Sequence, residues 1–247
     1  MIHIEHFTFN SFQTRCSVVW DESMECAIVD PGCATPSEMS ELTSFIDRKG
    51  LKPACIMLTH GHFDHILGVA ELAAHYARPS AEGHDPAVPL PVYMHPADRF
   101  TLDNNGYFCR WFGAPLPAAF ETVDVREADT SGEGLDNLSE GSAISTVKVG
   151  GLSFDVIETP GHTVGGVCYY ERTEKVLFSG DTLFAGAIGR TDHPGGDYDM
   201  IMKSILGKIV TLDGSVTVIP GHGPCTDIAT EGMTNPFLLP FNEPFEE

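Results

Sequence analysis

The apolar positions of this chain fall into short runs of two kinds, one with the period of a strand and one with that of a helix. Residues 7–9, 16–20 and 26–29 are rich in aromatic and β-branched side chains, and polar turns separate them; Asp30-Pro31-Gly32 closes the third. The period then changes. Leu42, Phe45 and Ile46 give an apolar face to a helix expected over 36–49, with Thr35 as N-cap, Pro36 in the first turn and Gly50 as the stop. Residues 54–58 are continuously apolar, as in a strand buried on both faces. A helix is expected over 66–77, an exposed Pro/Gly/Ala-rich loop over 78–91, a strand over 92–95 and a short helix over 96–103.

Residues 104–142 interrupt the pattern. Tyr107, Phe108, Trp111 and Phe112 are mixed with Pro and Gly, and an acidic Gly/Ser-containing segment follows. The stretch reads as a loop or flap inserted beside the site. Strand runs return at 144–149, 152–158, 166–170 and 175–179, helical periodicity at 197–212, and a last strand at 216–219. Two groups of strands, each followed by helices, predict an α/β fold with two sheets stacked face to face and helices outside. The length of 247 residues suits one domain spanning 1–247.

Composition narrows the function classes. The chain is 42% hydrophobic and 20% charged, ordinary values for a soluble globular protein. No apolar run approaches the ~18 residues of a membrane-spanning helix. The opening residues, Met1-Ile2-His3-Ile4-Glu5-His6, lack the basic-then-apolar pattern of a signal peptide, so a cytoplasmic protein is expected. The seven cysteines, an odd number with no CxxC pair, do not read as a disulfide framework. With 14 basic against 35 acidic residues the formal charge is −21, which opposes binding to phosphate backbones. The expected partner is a small molecule, with neither nucleic acid nor membrane. Bound divalent cations would offset part of that charge locally; solubility alone is the blander reading of it.

The candidate chemistry is concentrated in Leu58-Thr59-His60-Gly61-His62-Phe63-Asp64-His65, directly after the buried strand. His60 and His62 are two apart, which on an extended segment points both imidazoles the same way. Asp64 and His65 continue into the helix start and aim at a neighbouring point. A catalytic metal commonly takes three protein ligands plus water. His60, His62 and a third histidine make one such set; Asp64, His65 and another histidine make a second. Suitable residues follow later, each after a strand: His162 in Thr159-Pro160-Gly161-His162-Thr163, Asp181 in Ser179-Gly180-Asp181-Thr182, and His222 in Ile219-Pro220-Gly221-His222-Gly223. A carboxylate such as Asp181 can bridge two metals. Asp30, at its strand end, reads either as an orienter of the ligand loop or as a turn residue.

This order, HxHxDH followed by His, Asp and His, resembles the metallo-β-lactamase superfamily over essentially the whole chain. The resemblance implies a four-layered αβ/βα sandwich with two divalent metal ions at one edge of the sheets. It assigns His60, His62 and His162 to one metal, Asp64, His65 and His222 to the other, and Asp181 to both. The run 179–192, with Pro194-Gly195-Gly196-Asp197, Gly221-His222-Gly223-Pro224 and Asn235-Pro236-Phe237-Leu238, is more closely similar to short glyoxalase II-like hydrolases. In that group a basic residue at the position of Arg190 contacts the glutathione part of the substrate. Arg190 is thus a candidate for binding an anionic substrate, with a structural ion pair as the other reading. His193 stands where such relatives often have an aromatic residue and either lines the pocket or packs. Too few residues follow His222 for the C-terminal helical domain of glyoxalase II proper.

The expectation is a binuclear hydrolase of hydroxyacyl-glutathione-type thioesters, in which water between two cations supplies the nucleophile and Asp64 and Asp181 fix its geometry. Zinc is expected, and iron or manganese suits the same donors. The competing expectations are a persulfide dioxygenase-like enzyme with a single iron and a metal-binding protein without turnover. A phosphodiesterase or nuclease is disfavoured by the acidic balance.

Overall fold

The computed structural model describes residues 1–79, 87–128 and 143–239. Three antiparallel strands open the chain: β1 (His3–Phe9), β2 (Thr14–Trp20) and β3 (Glu25–Val29). Helix α1 (Pro36–Lys49) crosses to β4 (Lys52–Met57), parallel to β3. The short helices α2 (Phe63–Ile66) and α3 (Val69–His75) lead to β5 (Val92–Met94), and α4 (Arg99–Phe112) leads to β6 (Val123–Asp124). These six strands form one sheet in sequence order. The second sheet has the order β14-β13-β10-β9-β8-β7. Its strands are β7 (Ala143–Val149), β8 (Leu152–Glu158), β9 (Val167–Glu171), β10 (Val176–Gly180), β13 (Thr217–Pro220) and β14 (Thr226–Asp227). A small hairpin, β11 (Leu183–Phe184) with β12 (Ala187–Ile188), follows β10; α5 (Tyr198–Ser204) and α6 (Ile228–Thr234) flank the last long strand.

Two-residue alternation explains how the layers stack. In β3, Cys26 and Ile28 pack outward with Leu42 and Ile46 of α1, whereas Ala27 and Val29 face Phe154 and Tyr169 of the other sheet. In β9, Val167 and Tyr169 point into the same inter-sheet core, and Cys168 and Tyr170 face Ile201 of α5 and Ile228 of α6. Both sheets are buried on both faces, so the molecule is layered helix, sheet, sheet, helix. This is the αβ/βα arrangement expected. Among the described residues no helix is long and apolar enough to cross a membrane.

Helix α1 has the bounds its sequence suggests. Thr35 Oγ1 accepts from Glu38 N, the Glu38 carboxylate accepts from Thr35 N, and Gly50 ends the helix at φ 69°. Two expectations need correction. The helix expected over 66–77 is two helices starting at Phe63, because Gly68 donates to Pro31 O (2.9 Å) instead of continuing the turn. A Cβ at Gly68 would lie 2.9 Å from that oxygen, so the backbones meet there. The short helix expected over 96–103 is a single tight turn, Pro96–Asp98, followed by α4, which runs to Phe112 before Gly113 stops it at φ 65°. Residues 104–112, read as loop, are therefore helical; 129–142 of that stretch lie outside the described residues. The helical run expected over 197–212 widens after Ser204 into a π turn, Ile205–Ile209.

One edge of the sandwich collects the strand ends that matter here. Asp30 follows β3, Thr59 follows β4, Asp181 follows β10 and His222 follows β13. The sheets are tied at that edge by Tyr169 Oη donating to Leu58 O (2.9 Å) and Val167 N donating to Thr59 O (2.8 Å). Replacing Thr35 with Ala removes the α1 N-cap without altering any side chain of the His/Asp cluster. Urea unfolding should then report a loss of about 1 kcal/mol with metal uptake unchanged; unchanged stability would contradict the capping role.

Candidate metal centre

The loop after β4 is held open in the shape its histidines need. Gly61, between His60 and His62, donates its N–H to Asp98 Oδ2, and its carbonyl accepts from Asn105 Nδ2 (2.8 Å). Asp98 Oδ1 also takes Gly165 N (3.0 Å) and Thr101 Oγ1 (3.0 Å), so one buried carboxylate ties the His60 loop to the His162 loop. At the other end, Asn10 Nδ2 caps Asp64 O (2.9 Å) and Thr14 Oγ1 donates to Asp64 Oδ2 (2.8 Å).

Asp30 links the pieces. Its carboxylate accepts from Thr59 N (2.8 Å), Thr59 Oγ1 (2.6 Å) and His65 Nδ1 (3.1 Å) while fully buried. It does so at φ 48°, a left-handed conformation uncommon for a non-glycine residue and recurrent at functional sites. Of the two sequence readings, the geometry favours the orienter.

The far nitrogens of four histidines are fixed by oxygen atoms. The single proton of Thr59 Oγ1 is spent on Asp30, so the hydroxyl accepts from His60 Nδ1 (3.1 Å). His65 Nδ1 donates to Asp30, His162 Nδ1 to Arg190 O (2.8 Å) and His222 Nδ1 to Phe12 O (3.0 Å). When neutral, all four then present a bare Nε2 to the site, the tautomer that second contacts impose on metal-ligating imidazoles.

Those atoms converge. His60, His62 and His162 form one group of donor atoms lying within 4.8 Å of one another, Asp64, His65 and His222 a second, and His60, His65 and Asp181 a third between them. His62 Nδ1 lies 2.9 Å from His162 Nε2, and His65 Nε2 lies 3.3 Å from His222 Nε2. Two nitrogens bound to one tetrahedral cation at about 2.0–2.1 Å would be about 3.3 Å apart, so this spacing suits a shared ion. Asp181 reaches both groups: Oδ1 is 3.4 Å from His65 Nε2, and Oδ2 is 3.4 Å from His162 Nε2 and 3.5 Å from His222 Nε2. A Cβ on Gly221 would collide with Asp181 Oδ1, so only glycine lets the β13 turn approach this closely. Among the described residues, His60 Nε2 and Asp181 Oδ1, both within these donor groups, are buried without a hydrogen-bond partner. Orphaned lone pairs at these spacings fit a divalent cation, and every sequence-predicted ligand is in the cluster.

The electrostatics divide the histidines. Burial holds His60 and His62 well below the ordinary imidazole value, with neighbouring imidazoles adding to the effect, and it lowers His162 despite Asp181. Burial opposes the charged form of His65 and His222 too, but the Asp64 and Asp181 carboxylates override it. His65 is raised well above normal, and His222 is raised to about 9. Burial likewise disfavours the Asp64 and Asp181 anions, yet the same histidines pull Asp64 down to about 2 and Asp181 well below its usual range. With no cation between them, the carboxylates therefore keep protons on His65 and His222, and a bound cation takes the place of those protons.

Beside this cluster lies a cavity of about 560 Å³ whose lining includes His62, Asp64, Asp181 and His222 with the aromatic face of α4. Arg190 and His193 are both at it. The Arg190 guanidinium pairs with Asp192 through Nε–Oδ1 (2.9 Å) and Nη2–Oδ2 (3.0 Å), both side chains being exposed. His193 packs its ring edge-on against His62 and His162, with centroids 5.0 Å away in each case. The chain's sequence did not reveal Asp98, Asn105 or Thr14. Asp98 after Pro96 looks like any acidic residue at a helix start, and Asn105 and Thr14 carry no local signal at all.

The family model described as the metallo-beta-lactamase superfamily matches residues 10–222, the span from Asn10 to the last of the clustered histidines. The chain belongs to that superfamily. It is 33% identical over 238 residues to the hydroxyacylglutathione hydrolase GloC of Haemophilus influenzae, covering 96% of this chain and 98% of that protein. The crystal structure of the B3 metallo-beta-lactamase BLEG-1 superposes with TM-score 0.77 at 33% identity, over 96% of this chain and 99% of the other. TTHA1623, solved in a di-iron-bound form, superposes with TM-score 0.72 at 31% identity over 95% and 100%. Superfamily membership makes this a metallo-hydrolase with a metal-binding site.

Two outcomes follow from the cluster. Asp181→Ala should lower the metal content measured by elemental analysis at least severalfold; full occupancy would contradict contact with both groups. Acid–base linkage gives the second. The folded pKa of His222, about 9, exceeds the 6.5 of a free imidazole, so its contribution to stability is complete below 6.5 and lost as pH rises toward 9. Chelator-treated protein should melt at falling temperature across that window while metal-loaded protein does not. A flat or rising Tm in chelator would contradict the assignment.

Proposed function

We propose that the protein is a binuclear metal-dependent hydrolase that cleaves hydroxyacyl-thiol thioesters of the hydroxyacyl-glutathione type. The observation that carries the binuclear reading is the position of Asp181, within 3.5 Å of histidines from both donor groups. In this reading His60, His62 and His162 would hold one cation, Asp64, His65 and His222 the other, and Asp181 would contact both. The thioester reading is supported by the full-length similarity to the Haemophilus influenzae hydrolase.

When bound, a pair of divalent cations supplies Lewis acidity at a carbonyl and lowers the pKa of water from about 15.7 toward about 7, so that hydroxide is available at neutral pH. The protein's own groups do the rest. Asp64, held by Thr14 and depressed to about 2, is anionic throughout the working range. Asp181 Oδ1, 3.4 Å from His65 Nε2, has no hydrogen-bond partner among the described residues and would contact a cation or accept a hydrogen bond from water there. Asp30 and the Arg190 and Phe12 carbonyls keep His65, His162 and His222 from rotating. Among the described residues the cavity lining contains no Ser, Thr or Cys, which accords with water as the nucleophile in this reading. A thiolate leaves without needing an acid. Imidazole and carboxylate donors accept zinc, iron or manganese; zinc is the metal proposed.

Metal-replete protein should carry about two equivalents of metal and hydrolyse S-lactoylglutathione. A replete sample that cleaves no thioester would overturn the substrate class, and a single iron with oxygen consumption would replace it with the dioxygenase-like reading.

A further inference from the structure

The wall that α4 gives the cavity is not required by the metal chemistry. Tyr107, Phe108, Trp111 and Phe112 are spaced one and four apart and so share a helix face. Phe108 is buried against His62 with ring centroids 4.8 Å apart. Tyr107 stacks on Trp111 with centroids 6.2 Å apart and planes 28° apart. Phe112 meets Phe12 edge-on at 5.3 Å, and Phe12 meets Phe63 at 5.1 Å. Rings therefore line the way from a metal-binding imidazole to solvent. The outer ones are left open to water, Trp111 at 74%, Phe112 at 47% and Tyr107 at 45%. A contiguous exposed aromatic patch at the mouth of a polar site marks a ligand surface.

Positive charge is scarce on the same surface. Arg190 is the single Lys or Arg lining the cavity among the described residues, and it is engaged bidentately by Asp192. Residues 80–86, 129–142 and 240–247 contain no Lys or Arg, so they have none to supply.

We propose that the aromatic wall selects thioesters whose thiol carries a flat, uncharged apolar group, an aryl or benzyl group in its simplest form, over thioesters of a charged peptide thiol such as glutathione. The inference rests on the hydrolase reading for the bond that is cleaved, and it narrows the thiol. A flat group laid on Trp111 and Tyr107 gains stacking as well as buried area. The carboxylates of glutathione would have to draw Arg190 away from Asp192 on a protein of formal charge −21. That ion pair is exposed and weak, so the outcome is a preference and not an exclusion.

The test compares kcat/KM for the lactoyl thioesters of benzyl thiol, N-acetylcysteamine and glutathione. The benzyl thioester should exceed the neutral N-acetylcysteamine control by about tenfold and also exceed the glutathione thioester. Trp111→Ala and Tyr107→Ala should each bring the benzyl advantage toward unity, with metal content checking that the site is retained. Glutathione equal to or better than benzyl, or an advantage untouched by both substitutions, would overturn the proposal. Calorimetric binding of the corresponding benzyl and glutathionyl thioethers, which have no bond to cleave, decides the matter independently of turnover. Tighter benzyl binding that Trp111→Ala removes supports the wall; equal or weaker binding overturns it. If no thioester is cleaved while the benzyl thioether still binds preferentially, the thioesterase reading fails and the wall stands.

Discussion

Five imidazoles and two carboxylates crowded at one sheet edge need positive charge among them, and that need governs the rest of the site. Protons can supply it: Asp64 and Asp181 pull the basicity of His65 and His222 upward despite burial. Cations can supply it more completely, because His60, His62 and His162 are driven toward the neutral form and gain nothing from protonation. The donor set is thus split between a half that carries negative charge and a half that is neutral, joined by one aspartate.

The fold holds that arrangement against its own repulsion. The two sheets deliver ligands from parallel strand ends at one edge, and oxygen atoms from distant segments pin the outer nitrogens. Asp30 holds both ends of the segment from Thr59 to His65 at once, in a backbone conformation an aspartate seldom adopts. Asp98 does the same for the loops carrying His60 and His162. Because these groups touch no reacting atom, their contribution is the orientation of ligands that would otherwise relax. On the other side of the cavity the aromatic face of α4 offers binding surface with little charge.

How much of this was legible in the sequence depended on how local the cause was. Thr35, Pro36 and Gly50 announce α1 because caps act within a turn. The HxHxDH run announces metal because so many donors in one short segment have few other uses. Helix α4 was hidden by Asn104, Asn105 and Gly106, and by aromatic residues that face the cavity instead of the core, so the usual core-facing stripe was not there to read. The break before α3 was hidden for another reason: Gly68 bonds to Pro31, a contact between segments that sequence pattern does not register. Asp98 and Thr14 were missed in the same way, since each acts on a residue many positions away. Arg190 was visible as a candidate, but its pairing with Asp192 became apparent only in three dimensions.

The central claim is that two cations share Asp181. Anomalous diffraction from crystals of metal-replete protein, collected at the absorption edge of the bound metal, tests it most directly. The account predicts two peaks, one among His60, His62 and His162 and one among Asp64, His65 and His222, each within bonding distance of the Asp181 carboxylate. A single peak at saturating metal, or two peaks of which Asp181 touches at most one, would contradict it.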